Sequence, residues 1–176
     1  SQLSCARSVS MLNDARQRGL RVSGDVALAN LCYTDAQVNG YNSRYHVLPP
    51  LRCESDRQAL LAAINNGELA ICSNHQPHEI AAKKAPFADA AAGMAMYDLF
   101  IGLLLERVNC GELTLNAALS ALSSVPAATL GLRSGFEEGQ LFNASLINPQ
   151  QQDSYGRSGQ VVATFVEGFK VFRRQP

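Results

Sequence analysis

The sequence predicts an α/β fold, with a parallel sheet or barrel in its first part and a small β segment after it. Up to about residue 134, stretches with a helical period of apolar residues alternate with short apolar runs, which is typical of parallel strands joined by crossover helices. From residue 135 onward, strand patterns replace the helical ones. We therefore expect an α/β unit at 1–134 and a β-domain segment at 135–176. With 47% hydrophobic residues among 176, the chain is long enough to bury a core.

The first elements alternate between helix and strand. Residues 6–18 have apolar side chains at helical spacing and end at a glycine, which predicts a helix and its C-cap. Residues 20–31 are apolar with few charges and predict a buried strand that runs out into a loop. A second helix is predicted at 55–66 with Ser55 as its cap, and a short buried strand at 68–73.

The later elements change from helical to extended. Helices are predicted at 94–109 and 115–122, with a short helical turn at 127–130. Strands are predicted at 141–147 and at 159–172, where the second run bends into a hairpin near Glu167-Gly168.

Charge and hydropathy exclude two classes of partner. The 15 basic residues balance the 15 acidic ones, so no net positive field attracts nucleic acid or an anionic membrane. The longest apolar stretch, 88–105, is interrupted by Asp89 and Asp98, which are costly in lipid. We expect no nucleic-acid partner and no membrane span.

The cysteines point to a reducing compartment. There are five of them, at positions 5, 32, 53, 72 and 110, and no two are closely spaced. This pattern fits neither a disulfide framework nor a thiolate zinc cage, so a cytoplasmic location is expected. The chain starts at Ser1 without a signal-peptide pattern, and we expect a longer parent chain.

The densest polar cluster, residues 73–79, directly follows a predicted buried strand. In parallel α/β folds, active sites form at the carboxyl ends of strands. Two interpretations remain at this point: an active-site segment, or a loop whose two histidines bond to nearby backbone.

Several segments resemble dihydroorotases, members of the amidohydrolase superfamily of metal-dependent TIM barrels. Residues 73–78 (Ser-Asn-His-Gln-Pro-His) resemble the family's Asp-His-Ala-Pro-His, and residues 46–52 (His-Val-Leu-Pro-Pro-Leu-Arg) resemble Val-Asn-Pro-Pro-Leu-Arg. Residues 84–87 (Lys-Ala-Pro-Phe) resemble Lys-x-x-Pro-Phe, residues 124–132 resemble Asn-Pro-Ala-x-x-Leu-Gly-Leu, and residues 159–164 resemble the closing strand of the family's β domain. The similarity covers essentially the whole chain. It implies the C-terminal half of a TIM barrel, about strands 5 to 8 with their helices at 1–134, followed by part of a small β domain.

The chain departs from the family at the positions that perform its chemistry. Gln2 and Ala29 stand where the family has metal-binding histidines. Leu48 replaces a substrate-binding asparagine, and Asn74 replaces the carboxylate that binds metal and moves the proton. An alanine methyl has no lone pair for zinc, and a neutral amide is a poor ligand and accepts no proton at neutral pH. We therefore expect no catalytic residue, no bound metal and no other cofactor.

His78 and Arg52 match family residues and are the candidate vestigial ligand-binding side chains. Two readings of His78 remain open, a ligand contact and a structural histidine tied to its loop. Arg52 is the more structural of the two, because two prolines already fix a turn beside it. His46 and His75 are expected at the surface or in supporting positions, and the family's Ala-Pro-Phe-Gly is Ala-Ala-Ala-Gly at 90–93.

Two functions follow from the resemblance. The first is a pseudoenzyme: a non-catalytic dihydroorotase homologue that assembles with and stabilises aspartate carbamoyltransferase in pyrimidine biosynthesis, as such homologues do in some bacteria. Its expected partners are aspartate carbamoyltransferase subunits, with a missing N-terminal half or a second copy covering the open edges of the barrel. The alternative is an active zinc-dependent dihydroorotase or related cyclic amidohydrolase that uses ligands from a missing N-terminal half.

Overall fold

Parallel strands form the centre of the first part of the chain. The structure is a computed structural model that describes residues 1–152 and 155–174. Strands β1 (Asp25–Ala27) and β2 (Ala70–Cys72) pair in parallel. On the other side of β1, the backbone N–H of Leu3 donates to the carbonyl of Asp25 at 2.7 Å. Residues near the chain start, β1 and β2 thus lie side by side, as the predicted α/β fold requires.

Helices connect these strands, and most lie where the sequence predicts them. Helix α1 spans Ala6–Gln17, α2 spans Leu28–Cys32 and α3 spans Glu54–Asn65. Helix α3 begins one residue before Ser55, so Ser55 is not its cap as predicted; Cys53 occupies that position. The two long helices are followed by glycines with positive φ, Gly19 at 80° and Gly67 at 74°, where a side chain would be strained.

The prediction of a strand at 20–31 is wrong for most of these residues. Only Asp25–Ala27 is extended, and the apolar residues after it form the short helix α2. A fully buried apolar run has no polar face, so its periodicity does not distinguish strand from helix.

The remaining helices are α4 (Ile80–Lys84), α5 (Phe100–Asn109), α6 (Leu115–Leu122) and α7 (Ser124–Leu130). The helix predicted from residue 94 therefore starts too early. Met94 instead forms a parallel bridge with His75, its carbonyl accepts from the N–H of Gln76 at 3.0 Å, and a 3-10 turn at Tyr97–Leu99 leads into α5. Backbone groups that bond to a neighbouring strand end are not available to a helix.

The last part of the chain is an antiparallel sheet of β3 (Ala144–Gln152), β4 (Ser158–Val166) and β5 (Phe169–Arg173). The hairpin predicted near Glu167-Gly168 is confirmed: both residues have positive φ, 52° and 84°, which suits a tight turn between β4 and β5. Strand β3 starts later and ends later than the predicted 141–147.

The sheet packs on α5 through Gly159. A Cβ built on this glycine would clash with the side chain of Leu105, so only a residue without a side chain allows β4 to approach this closely. An ion pair between Arg157 and Glu106, 3.3 Å apart, links the same two elements.

A hydrophobic core lies between the parallel strands and the helices. A buried arginine borders it: Arg57 donates to the Leu31 carbonyl at 3.0 Å and to carboxylates of Glu54 and Glu112 at 2.7 and 2.6 Å. No helix in the described part of the chain is long and apolar enough to cross a membrane. The largest fully buried side chains are Val26, Leu28, Leu31, Leu60, Leu61, Ile64, Leu69 and Met96.

Candidate functional site

Gln2, Leu48 and Asn74 meet at the carboxyl end of β2. The side-chain amide of Gln2 donates from Nε2 to Oδ1 of Asn74 at 3.0 Å. Asn74 in turn donates from Nδ2 to the backbone carbonyl of Leu48 at 2.9 Å. The structure thus joins three of the positions at which the sequence departs from the dihydroorotase pattern, although they lie far apart in the chain.

The backbone is strained at both amide residues. Gln2 has φ of 55° and Asn74 has φ of 44°. Residues other than glycine adopt this left-handed backbone conformation at a cost on the order of 1–3 kcal/mol. Asparagine tolerates it better than glutamine does. Such conformations persist where surrounding contacts fix them, and the two side-chain hydrogen bonds are contacts of this kind.

Ala29, the fourth departure, lies in α2 just after β1 and is 4% exposed. Its methyl group belongs to the hydrophobic core, together with Leu28 and Leu31. Leu48 has the opposite environment, because its side chain is 57% exposed.

The side chains at this site do not suit zinc. The metal binds imidazole nitrogen, thiolate or carboxylate, whereas Gln2 and Asn74 present neutral amides and Leu48 presents a backbone carbonyl. The nearby thiol of Cys72 is protonated at neutral pH, because burial raises its pKa to about 12. Within residues 1–152 and 155–174, no three His, Cys, Asp or Glu side chains are grouped so that they could hold a metal ion.

His78 lies on the exposed side of the same strand end and contacts a loop. Its Nε2 lies 2.9 Å from the carbonyl of Ala92. Gly93, with φ of 146°, packs so closely against Gln76 and His78 that a Cβ there would approach Nε2 of His78 to 2.8 Å. This contact agrees with the structural interpretation of His78, in which the histidine is tied to its loop. A role of His78 in ligand binding stays a prediction.

Lys83 fixes this loop, and sequence reasoning did not identify it. Its Nζ donates to the carbonyls of Ala91 and Gly93 at 2.8 and 2.9 Å and to the carbonyl of His46 at 3.4 Å. Burial lowers the pKa of Lys83 below its usual value. The only signal in the sequence is a lysine a few residues ahead of an alanine- and glycine-rich segment, which does not reveal such a cage of carbonyls.

The hydrogen bonds and ring contacts of the other histidines and of Arg52 lie outside the group of Gln2, Leu48 and Asn74. Nδ1 of His75 accepts hydrogen bonds from the backbone N–H groups of Met96 and Tyr97 at 2.9 and 3.0 Å, and its ring stacks on that of Tyr97. His46 stacks on Phe87 with ring centroids 4.6 Å apart. Arg52 is exposed, and its backbone carbonyl accepts from Asp35. His75 therefore orients the segment that leads into α5.

The chain has relatives among known proteins. No protein-family model matches it. It is 43% identical over 160 residues to a dihydroorotase-like protein of Pseudomonas aeruginosa, a match that covers 90% of this chain and 38% of that protein. It is 33% identical over 177 residues to a dihydroorotase of Desulfotalea psychrophila, covering 97% of this chain and 42% of that protein. The chain thus spans about two fifths of the length of these curated relatives.

The fold is shared with a solved dihydropyrimidinase. The dihydropyrimidinase from Brevibacillus agri superposes with a TM-score of 0.82 at 21% identity, covering 98% of this chain and 44% of that one. This likeness confirms the fold class predicted from the sequence. The chain is therefore similar in sequence to part of a dihydroorotase-like protein and of a dihydroorotase, and it has the α/β fold expected of the C-terminal part of a TIM barrel.

Proposed function

We propose that the chain belongs to a non-catalytic dihydroorotase homologue of the cytoplasm, which assembles with and stabilises aspartate carbamoyltransferase in pyrimidine biosynthesis. The relatives named dihydroorotase and dihydroorotase-like protein support the link to this pathway. The partner is inferred from the resemblance to inactive homologues that have this role.

One observation supports the loss of catalysis above all: the hydrogen bond between Gln2 and Asn74. In the family pattern these two positions hold a metal ligand and the carboxylate that moves the proton. Here the amide of Gln2 donates to Asn74, the amide of Asn74 donates to the Leu48 carbonyl, and neither amide is a base at neutral pH. Without a metal, a water molecule keeps a pKa far above the value of about 7 that zinc-bound water has, so little hydroxide is available to attack an amide.

Exposed apolar side chains support a role in assembly. Phe136, Leu141, Phe169 and Val171 are each more than 60% exposed, and they lie in or near the C-terminal sheet. Strand β5 is exposed along its whole length, and among the described residues it pairs with β4 alone. A surface of this kind is typical of a chain that packs against further polypeptide.

Co-expression tests the proposed role. The full-length protein is produced with and without the aspartate carbamoyltransferase of its own source, and the complex is sought by gel filtration with light scattering. We expect a stable complex, a higher melting temperature of the transferase within it, and no ring closure of carbamoyl aspartate by the homologue. A protein that closes the ring and leaves the transferase unchanged would contradict the proposal.

The alternative is an active zinc-dependent dihydroorotase or related cyclic amidohydrolase whose ligands come from the rest of the protein. The relative named dihydroorotase at 33% identity favours it. Zinc content and ring-closing activity of the full-length protein distinguish the two, because the alternative requires both.

A further inference from the structure

Gln2, Asn74 and the carbonyl of Leu48 form a continuous chain of hydrogen bonds, here called the amide clasp. It joins three segments that are not consecutive in the chain: the extended residues beside β1, the end of β2, and the loop ahead of α3. The bonds are 3.0 and 2.9 Å long, which is ordinary for N–H donors and oxygen acceptors. The clasp therefore connects three segments where the parallel strands end, a region here called the barrel mouth.

The geometry requires an amide at position 74. Oδ1 of Asn74 accepts from Gln2 while Nδ2 donates to Leu48, so both ends of the amide are used. An aspartate of the same shape would keep the first bond but would place a carboxylate oxygen against the Leu48 carbonyl. Two acceptors at that distance repel, and the donor would be lost.

The geometry also requires a donor at position 2. A glutamate at position 2 would face Oδ1 of Asn74 with a second acceptor. Turning the Asn74 amide over would repair that contact only by pointing Oδ1 at the Leu48 carbonyl. The direction of donation is thus set along the whole clasp, from Gln2 through Asn74 to Leu48.

We propose that the amide clasp is a structural substitute for a metal centre: Gln2 and Asn74 fasten the strand ends of the barrel mouth with hydrogen bonds where the family pattern has metal ligands. The two residues then have an acquired structural function, in addition to lacking a catalytic one. The left-handed backbone of both residues is held in place by these bonds. It follows that restoring the family's aspartate at position 74 destabilises the protein.

A double-mutant cycle in the full-length protein tests this inference. Gln2→Ala, Asn74→Ala and the double variant are compared by urea unfolding. Gln2→Ala should shift the unfolding equilibrium constant roughly fivefold toward the unfolded state in the wild-type background. It should shift that constant by less than about twofold in the Asn74→Ala background, because the acceptor is already gone. Equal shifts in both backgrounds would overturn the clasp.

The isosteric variants Gln2→Glu and Asn74→Asp remove donors without changing shape. Each should shift the unfolding equilibrium constant at least roughly fivefold. The matched controls Gln17→Glu and Asn39→Asp, at exposed positions whose side chains are not part of the clasp, should change it less than about twofold. If Gln2→Glu and Asn74→Asp each change the unfolding equilibrium constant no more than the controls do, the inference is refuted. The unfolding measurements need neither catalysis nor a partner, so failure of the clasp is distinguishable from failure of the proposed function.

Discussion

The substitution Asn74→Asp is the most direct test of the non-catalytic proposal, because it returns the family's carboxylate to the end of β2. The structure gives the reasons why it should not restore dihydroorotase activity. The new carboxylate would have Gln2 at 3.0 Å and the Leu48 carbonyl at 2.9 Å, and neither is a metal ligand of the required kind. Ala29 still contributes a methyl group within the core. A base without a metal acts on water whose hydroxide fraction at neutral pH is lower by roughly eight orders of magnitude than that of zinc-bound water.

The assay follows ring closure of carbamoyl aspartate by the full-length Asn74→Asp protein with added zinc, beside the metal-free protein and the control Asn39→Asp. We expect all three rates to equal the uncatalysed background, and the complex with aspartate carbamoyltransferase to form as in the wild type. Zinc-dependent turnover by the single variant, clearly above the metal-free sample, would refute the reasoning, because it would mean that the site needs only its base. The alternative of a zinc enzyme would then be preferred.

Three further outcomes are expected. The full-length protein should hold much less than one zinc per chain after extensive dialysis; elemental analysis measures this, and one tightly bound zinc per chain would contradict it. Residues 1–176 expressed alone should associate rather than form a monodisperse monomer in light scattering, because side chains such as Phe136 and Phe169 are 77% and 76% exposed. Arg57→Met should lower the free energy of unfolding by about 2 kcal/mol in urea at neutral pH, since the Leu31 carbonyl loses its donor and Glu112 keeps only Arg107. The hydrogen bond from Arg57 lowers the pKa of Glu112, so this stabilisation is present at neutral pH and is lost as the pH falls through that lowered value; an equal loss at acidic and neutral pH would argue against it.

Local signals in the sequence predicted much of the fold. The glycines after α1 and α3 mark helix ends, and the apolar run around Ile71 predicts β2, because turn chemistry and burial act over a few residues. The same reasoning failed at α2, where a helix with four of its five residues buried has no exposed polar face to reveal it. It failed again at Met94, whose backbone bonds to the end of β2, a contact that no local pattern records.

The candidate site was predictable in its members but not in its contacts. The departures at Gln2, Leu48 and Asn74 are visible in the sequence once the dihydroorotase motifs are aligned. Their hydrogen bonds depend on the pairing of strands separated by dozens of residues, and on backbone at positive φ that glutamine rarely adopts. The carbonyl cage around Lys83 depends on tertiary structure in the same way, because three backbone carbonyls from two loops must converge on one ammonium group.

The chemistry of the strand ends explains why an amide at position 74 suits a site without metal ligands. A carboxylate at the end of β2 is compatible with a nearby backbone carbonyl when a cation shares the site. With an amide at position 2 and a methyl group at position 29, no cation is provided, and a partly buried carboxylate beside the Leu48 carbonyl would be an uncompensated charge. Asparagine keeps the size and one acceptor of aspartate, removes the charge and supplies the donor that the carbonyl needs. The substitutions at Gln2 and Asn74 are therefore physically coupled through their hydrogen bond, and reverting either of them alone should make the barrel mouth less stable rather than more active.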